Sequence, residues 1–142
     1  MAQIVLTSVT VVLGTISIGT NCIKSVTINY TPDVLDNTGM GMTAKSRKIG
    51  IPDWSIDIEL FQEYATTLLD ADLWAIISGT GDVGAIDIAP DGVAVGPDHP
   101  HYHSTAGFLE SYSPLAAGSV GELGVAKLRI LAMGATLTRA VA

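Results

Sequence analysis

The sequence predicts a mostly β domain, a β-sandwich or barrel with one short flanking α-helix and a long inter-strand loop. Three observations carry this. Apolar and polar residues alternate over Lys24–Tyr30 and over Asp53–Gln62, the period of a half-buried strand. The period lengthens to that of a helix only between Tyr64 and Ser78. Elsewhere short runs of Val, Ile and Thr are separated by glycine and proline.

From the N-terminus, Gln3 to Ile18 reads as one or two strands, with Gly14 as the break or bulge. In the next strand Val26, Ile28 and Tyr30 face one way, and Ser25, Thr27 and Asn29 the other. Thr31-Pro32-Asp33 ends it, because proline has no N–H for a ladder. Residues 31–52 form the long loop. Asp33 to Pro52 has no period, contains Asn37, Gly39, Gly41 and Gly50, and gathers Lys45, Arg47 and Lys48 within four positions. A structureless loop of that length is expected to be functional. It is either a solvated segment or an arm that docks on a neighbouring subunit and orders there. In Asp53–Gln62, Trp54, Ile56, Ile58 and Leu60 enter the core, while Asp57 and Glu59 mark the other face. Leu69, Leu73, Ile76 and Ile77 form the helical stripe, with Asp70 and Asp72 off it and Gly79 in the C-cap position. Strands return over Val83–Ile88, Tyr102–Tyr112, Gly124–Met133 and Thr136–Val141, for six or seven in all.

A chain of 142 residues is one domain's worth and buries a core without disulfide or metal, so residues 1–142 are read as a single domain. Its hydrophobic fraction is 48% and its charged fraction only 15%. That excludes dominant disorder and suggests that neighbours cover part of the surface. Seven cations against fourteen acids leave a net charge of −7, the opposite of a nucleic-acid-gripping surface. The single cysteine, Cys22, permits no intrachain disulfide and is read as a buried structural thiol. Ile4 to Gly19 is apolar but interrupted by Thr and Ser, and no cation precedes Lys24. A strand fits this better than a signal peptide or membrane helix, so a soluble, unprocessed chain without membrane insertion is expected.

Gly79-Thr80-Gly81-Asp82-Val83-Gly84 matches G-x-G-x-x-G, but a dinucleotide site needs a strand before the motif and a helix after it. Here the order is reversed, which makes the glycines a helix exit and a tight turn. His101 and His103, in Asp98-His99-Pro100-His101-Tyr102-His103, would share one face of a strand and are the candidate metal ligands. Pro100 disturbs that strand and no further ligand group accompanies it, so an exposed loop is the favoured reading. Asp57 and Glu59 have a spacing open to acid–base work, but alternating charge on a solvent face accounts for them. No G-x-S-x-G elbow, P-loop, H-E-x-x-H or EF-hand loop is present. No catalytic or cofactor-binding residue is assigned, no cofactor is expected, and the chain is read as a non-enzyme.

Four segments, in order, resemble phage major tail tube proteins. They are Ile49-Gly50-Ile51-Pro52-Asp53-Trp54-Ser55-Ile56-Asp57-Ile58-Glu59, Leu73-Trp74-Ala75-Ile76-Ile77, Glu110-Ser111-Tyr112-Ser113-Pro114 with Gly118-Ser119-Val120-Gly121, and Gly134-Ala135-Thr136-Leu137-Thr138-Arg139. The resemblance covers Thr31 to Ala142 and extends to contractile-tail and type VI secretion tubes. It implies a β-sandwich or barrel with a flanking helix, hexameric rings of identical subunits, and rings stacked into a hollow tube that delivers DNA to the host. It further implies tail-tip initiator, terminator and tape measure proteins as partners, assembly in the host cytoplasm, and a place in the virion.

The residues agree with that role. Open sheet edges join subunits readily, and a sparsely charged surface suits a chain covered by its neighbours. An acidic lumen lets DNA slide without gripping it. Asp57 and Glu59 are the lumen-facing candidates, and Lys45, Arg47 and Lys48 the inter-ring contacts. Two other classes compete. A small β-sandwich binding module for carbohydrate or receptor would need exposed aromatics, yet only 6% of residues are aromatic and Trp54 and Trp74 look buried by pattern. A cupin-like metal enzyme would need more ligands than the histidine cluster offers.

Overall fold

The computed structural model describes residues 9–14, 16–18, 23–61, 69–90, 92–97, 99–117, 120–121 and 124–141. The expectations for Gln3–Ser8, Gly19, Cys22, Gln62, Tyr64–Leu68, Asp98 and Gly118-Ser119 fall outside them.

Two antiparallel sheets face one another. Thr10–Leu13 (β1) and Ile16–Ile18 (β2) form a hairpin, and β1 pairs on its other side with Ile86–Ala89 (β7). Outside β7 lie His101–Ser104 (β8) and Thr138–Ala140 (β11), giving the five-stranded order β11-β8-β7-β1-β2. The second sheet holds Ile23–Tyr30 (β3), Trp54–Phe61 (β6), Gly107–Ala117 (β9) and Val125–Ala132 (β10), in the order β3-β6-β10-β9. Val34–Asp36 (β4) and Arg47–Ile49 (β5) make a separate two-stranded ribbon. Leu69–Ile77 (α1) is the helix. The sheets are stacked and not closed on each other, so the sandwich alternative holds and the barrel does not.

The period of two builds the core. Val11, Leu13, Ile86 and Ile88 project from one sheet, Trp54, Ile56, Ile58, Leu60, Leu128 and Ile130 from the other, and Leu73 reaches in from the helix. Trp54 is 2% exposed, and its indole Nε1 donates to the Ala135 carbonyl at 2.9 Å, tying the segment before β11 to β6. Gly14 turns β1 into β2 with φ of 63°. A Cβ there would lie 2.7 Å from the Val83 carbonyl oxygen, so the position accepts no side chain.

Four local expectations are corrected. The stretch over Tyr102–Tyr112 is two strands in different sheets, because the chain crosses between layers at Thr105 and Ala106. The described strands number eleven, more than the six or seven expected, because strands as short as three residues leave no readable period. The helix ends at Ile77, but the left-handed glycine after it is Gly81, with φ of 77° and its N–H bonded to the Ile76 carbonyl at 3.0 Å, and not Gly79. The segment from Asp33 to Pro52 is not structureless, since β4 and β5 pair within it, Val34 opposite Ile49 and Asp36 opposite Arg47.

Candidate assembly surface

The outer face of the four-stranded sheet is a charge ladder. Register brings Asp57 opposite Arg129 and Glu59 opposite Lys127. Arg129 Nη1 lies 3.5 Å from Asp57 Oδ1, and Lys127 Nζ lies 3.3 Å from Glu59 Oε1. On the other side of β10, an irregularity in the β9 register leaves Glu110 beside Arg129, with Nε to Oε2 at 2.9 Å. Asp57 and Glu59 therefore occupy one face as expected, within a ladder of three carboxylates and two cations. Sequence reasoning found Asp57 and Glu59 and missed Lys127 and Arg129 as their partners and Glu110 as the third acid. Alternation in β10 placed both cations on one face, but only the pairing register says which acids they meet.

The β4–β5 ribbon is an arm. It continues the β3–β6 ladder beyond the sandwich, through Thr31 N–H to the Asp53 carbonyl at 2.8 Å and Asp33 N–H to the Ile51 carbonyl at 3.0 Å. Gly50 N–H closes the ladder onto the Asp33 carbonyl at 2.7 Å. No residue between Thr31 and Asp53 is buried. At the tip, the Asp36 carboxylate accepts the Thr38 N–H at 2.9 Å and faces Lys45 Nζ at 3.7 Å. The Thr38 side chain and N–H, followed more weakly by Lys45, hold the Asp36 carboxyl below its ordinary value against a small opposing desolvation. Thr38 Oγ1 in turn accepts the Ser46 N–H at 2.8 Å. Lys45, Arg47 and Lys48 all lie on this arm and are exposed. Val34, Ile49 and Ile51, missed by sequence reasoning, share one face of it and are 64%, 76% and 77% exposed.

His101 and His103 both lie on β8, as expected of a shared strand face, in place of the exposed loop. His101 Nδ1 sits 3.2 Å from Asp87 Oδ1 and its Nε2 donates to the Val93 carbonyl at 2.7 Å, so both ring nitrogens are engaged within the fold. No group of three or more metal-ligating side chains occurs among the described residues. The G-x-G-x-x-G segment follows α1 and precedes β7, and its turn is held against β9 by Leu109 N–H bonding to the Gly81 carbonyl at 2.7 Å. Trp74 is 56% exposed, a correction to the buried reading, because the helix turns Leu73 inward in its place. No helix among the described residues is long and apolar enough to cross a membrane.

Comparison with solved structures identifies where this architecture recurs. A chain in the virion of a native gene transfer agent particle superposes with a TM-score of 0.67, at 18% identity, over 93% of this chain and 95% of that one. This is a fold of phage-like tails and contractile injection systems. A chain in the tail of an empty gene transfer agent particle, solved with C6 helical symmetry, gives 0.66 at 17% identity over 93% of each chain. A chain in the sheath/tube terminator of the extracellular contractile injection system PVC gives 0.68 at 14% identity, over 97% of this chain and 98% of that one. The likeness is one of fold, and it runs the length of both partners. These neighbours come from virion, tail and injection-system assemblies. No family model matches the sequence, and no curated protein matches it.

Proposed function

We propose that this chain is the tube subunit of a phage-like tail, assembling with copies of itself into stacked hexameric rings around a lumen through which DNA is delivered. The observation that carries the proposal is the end-to-end fold match to a chain of a tail solved with C6 symmetry. Two features support it. Each sheet has open edges, β3 and β9 in one and β2 and β11 in the other, which offer unpaired backbone groups to a neighbour. The arm exposes apolar side chains that a free monomer has no reason to display.

In this reading the charge ladder lines the lumen. Asp57, Glu59 and Glu110 engage the cations of Lys127 and Arg129, which leaves little positive charge to neutralise phosphates and release their counterions. Lys45, Arg47 and Lys48 would bridge one ring to the next, with residues 31–52 ordered by neighbouring subunits. Tail-tip initiator, terminator and tape measure proteins would be the other partners, with assembly in the host cytoplasm and a final place in the virion. Negative-stain electron microscopy of the concentrated protein, with and without a tail-tip initiator complex, tests this. Hollow tubes or stacked rings are expected, and a monomer under both conditions overturns it.

A further inference from the structure

A β-sandwich has two open sides, one at each pair of sheet edges, and its core stays dry only where something covers them. In this chain α1 covers one side. It packs on β9 and β2, the edges of the two sheets there, with Leu73 in the core and Asp70 accepting the Tyr112 hydroxyl at 2.5 Å. At the opposite edges, β3 and β11 splay apart around a cleft of about 470 Å³. Its walls are mainly apolar: Val26, Ile28 and Tyr30 from β3, Tyr102 from β8, and Leu137 just before β11. Among the described residues, Arg139 is the only charged one that lines it.

The helix has a second face. Ala71, Trp74 and Ala75 lie together on one side of α1 and all three are exposed, Trp74 by 56%. A tryptophan standing between two alanines is an apolar knob with a low surround, the kind of side chain on which interfaces concentrate their energy. It cannot reach the cleft of its own chain, because α1 is fixed by Leu73 and Asp70 at the opposite pair of edges. Charge selects the helix over the arm as the occupant. Helix α1 carries Asp70 and Asp72 in its first turn and no basic residue in its last, whereas the arm from Asp33 to Ile51 holds three cations and two acids. Arg139 therefore attracts the helix and repels the arm.

We propose that the cleft of one copy receives the exposed face of α1 from a second copy, with Trp74 seated between β3 and β11 and the exposed Asp72 approaching Arg139. One helix then closes two open sides, that of its own sandwich through Leu73 and that of the next through Trp74. Helix and cleft lie on opposite sides of the molecule, so the contact is heterologous and runs head to tail, as a closed ring requires. It brings the β9 edge of one copy toward the β3 edge of the next. The proposal rests on the self-assembly reading above and names the side chain and the socket that join neighbours.

The test uses full-length protein carrying Cys22→Ser. One preparation carries Ala75→Cys on the helix and the other Tyr30→Cys on the cleft wall. They are mixed, assembled and oxidised, and assemblies are followed by electron microscopy. A 75–30 disulfide between chains is expected, about tenfold above a control pair of Ala75→Cys with Ser111→Cys on β9, since the bond forms only between closely apposed positions. Trp54 is already buried in the free subunit, so a blue shift of tryptophan emission on assembly reports Trp74 and is expected. Trp74→Ala should leave the melting temperature of the subunit unchanged and lower the 75–30 yield about tenfold. Arg139→Asp should lower it too, and Asp72→Arg on the partner preparation should restore it.

Tubes that form without an excess of the 75–30 disulfide and without the blue shift overturn the helix-in-cleft contact and leave the tube reading standing. The disulfide in small oligomers without tubes supports the contact and counts against the tube. A monomer with neither overturns both. An Ile49→Cys chain that joins Tyr30→Cys in place of Ala75→Cys overturns the proposal in favour of the arm, and a Val5→Cys to Tyr30→Cys disulfide within one molecule overturns it in favour of the chain's own N-terminal residues.

Discussion

Asp36 concentrates the order of the arm tip in one carboxylate. Thr38 and Lys45 favour its charged form, so its folded value lies below the ordinary 3.8. A depressed carboxyl contributes fully above its unfolded value, and the contribution is lost as pH falls through the folded value. Acidification below the usual carboxylate range should therefore loosen the tip before the sandwich. The Thr38 amide resonance followed against pH checks this, and Asp36→Asn should remove the dependence. Trp54 acts in the core in the same concentrated way. Trp54→Phe leaves the Ala135 carbonyl without its donor and opens space beside it, at a cost of about 1–3 kcal/mol. A urea midpoint unchanged by the substitution would show that the segment before β11 holds itself in place. Alternation in the sequence already marked Trp54 as buried, whereas Trp74 was misread, because a tryptophan beside a helical stripe says nothing of which turn faces the sheet.

Elements differ in how readable they were. The eight-residue strands β3, β6 and β10 were legible because each presents one clean apolar face to the core over enough residues to show its period. Strands β4 and β5 were not, since three exposed residues each have no core face to encode. Their pairing comes from continuation of the β3–β6 ladder. That placement separates stability from assembly. Deleting Asn37 to Lys48 removes no buried side chain, so the melting temperature of the subunit should hold within a few degrees. Stacked assemblies should be absent from micrographs of the same sample. Tubes of normal length would remove the arm from the assembly contact.

At the scale of the whole molecule, the sandwich separates a charged outer face from an apolar arm and cleft. Reversing both Asp57 and Glu59 to lysine would leave Glu110 facing four cations and turn the ladder into a phosphate-binding stripe. Both positions lie on the outer face, so tubes should still form. DNA delivery, measured as transfer into host cells per particle, should fall by at least tenfold. Normal delivery would remove this face from the lumen.

The sequence by itself determined the mostly β class, the faces of the long strands, the short helix, and the position of the basic segment on a projecting part of the chain. It could do so because burial imposes a period on the chain wherever one face meets a core. The tertiary structure decided which strands lie side by side, that the sheets stack without closing, that Asp57 and Glu59 meet Arg129 and Lys127, and that an apolar cleft opens between β3 and β11. These depend on register and on contacts between residues far apart in the chain, and a local period carries no record of the partner across the gap.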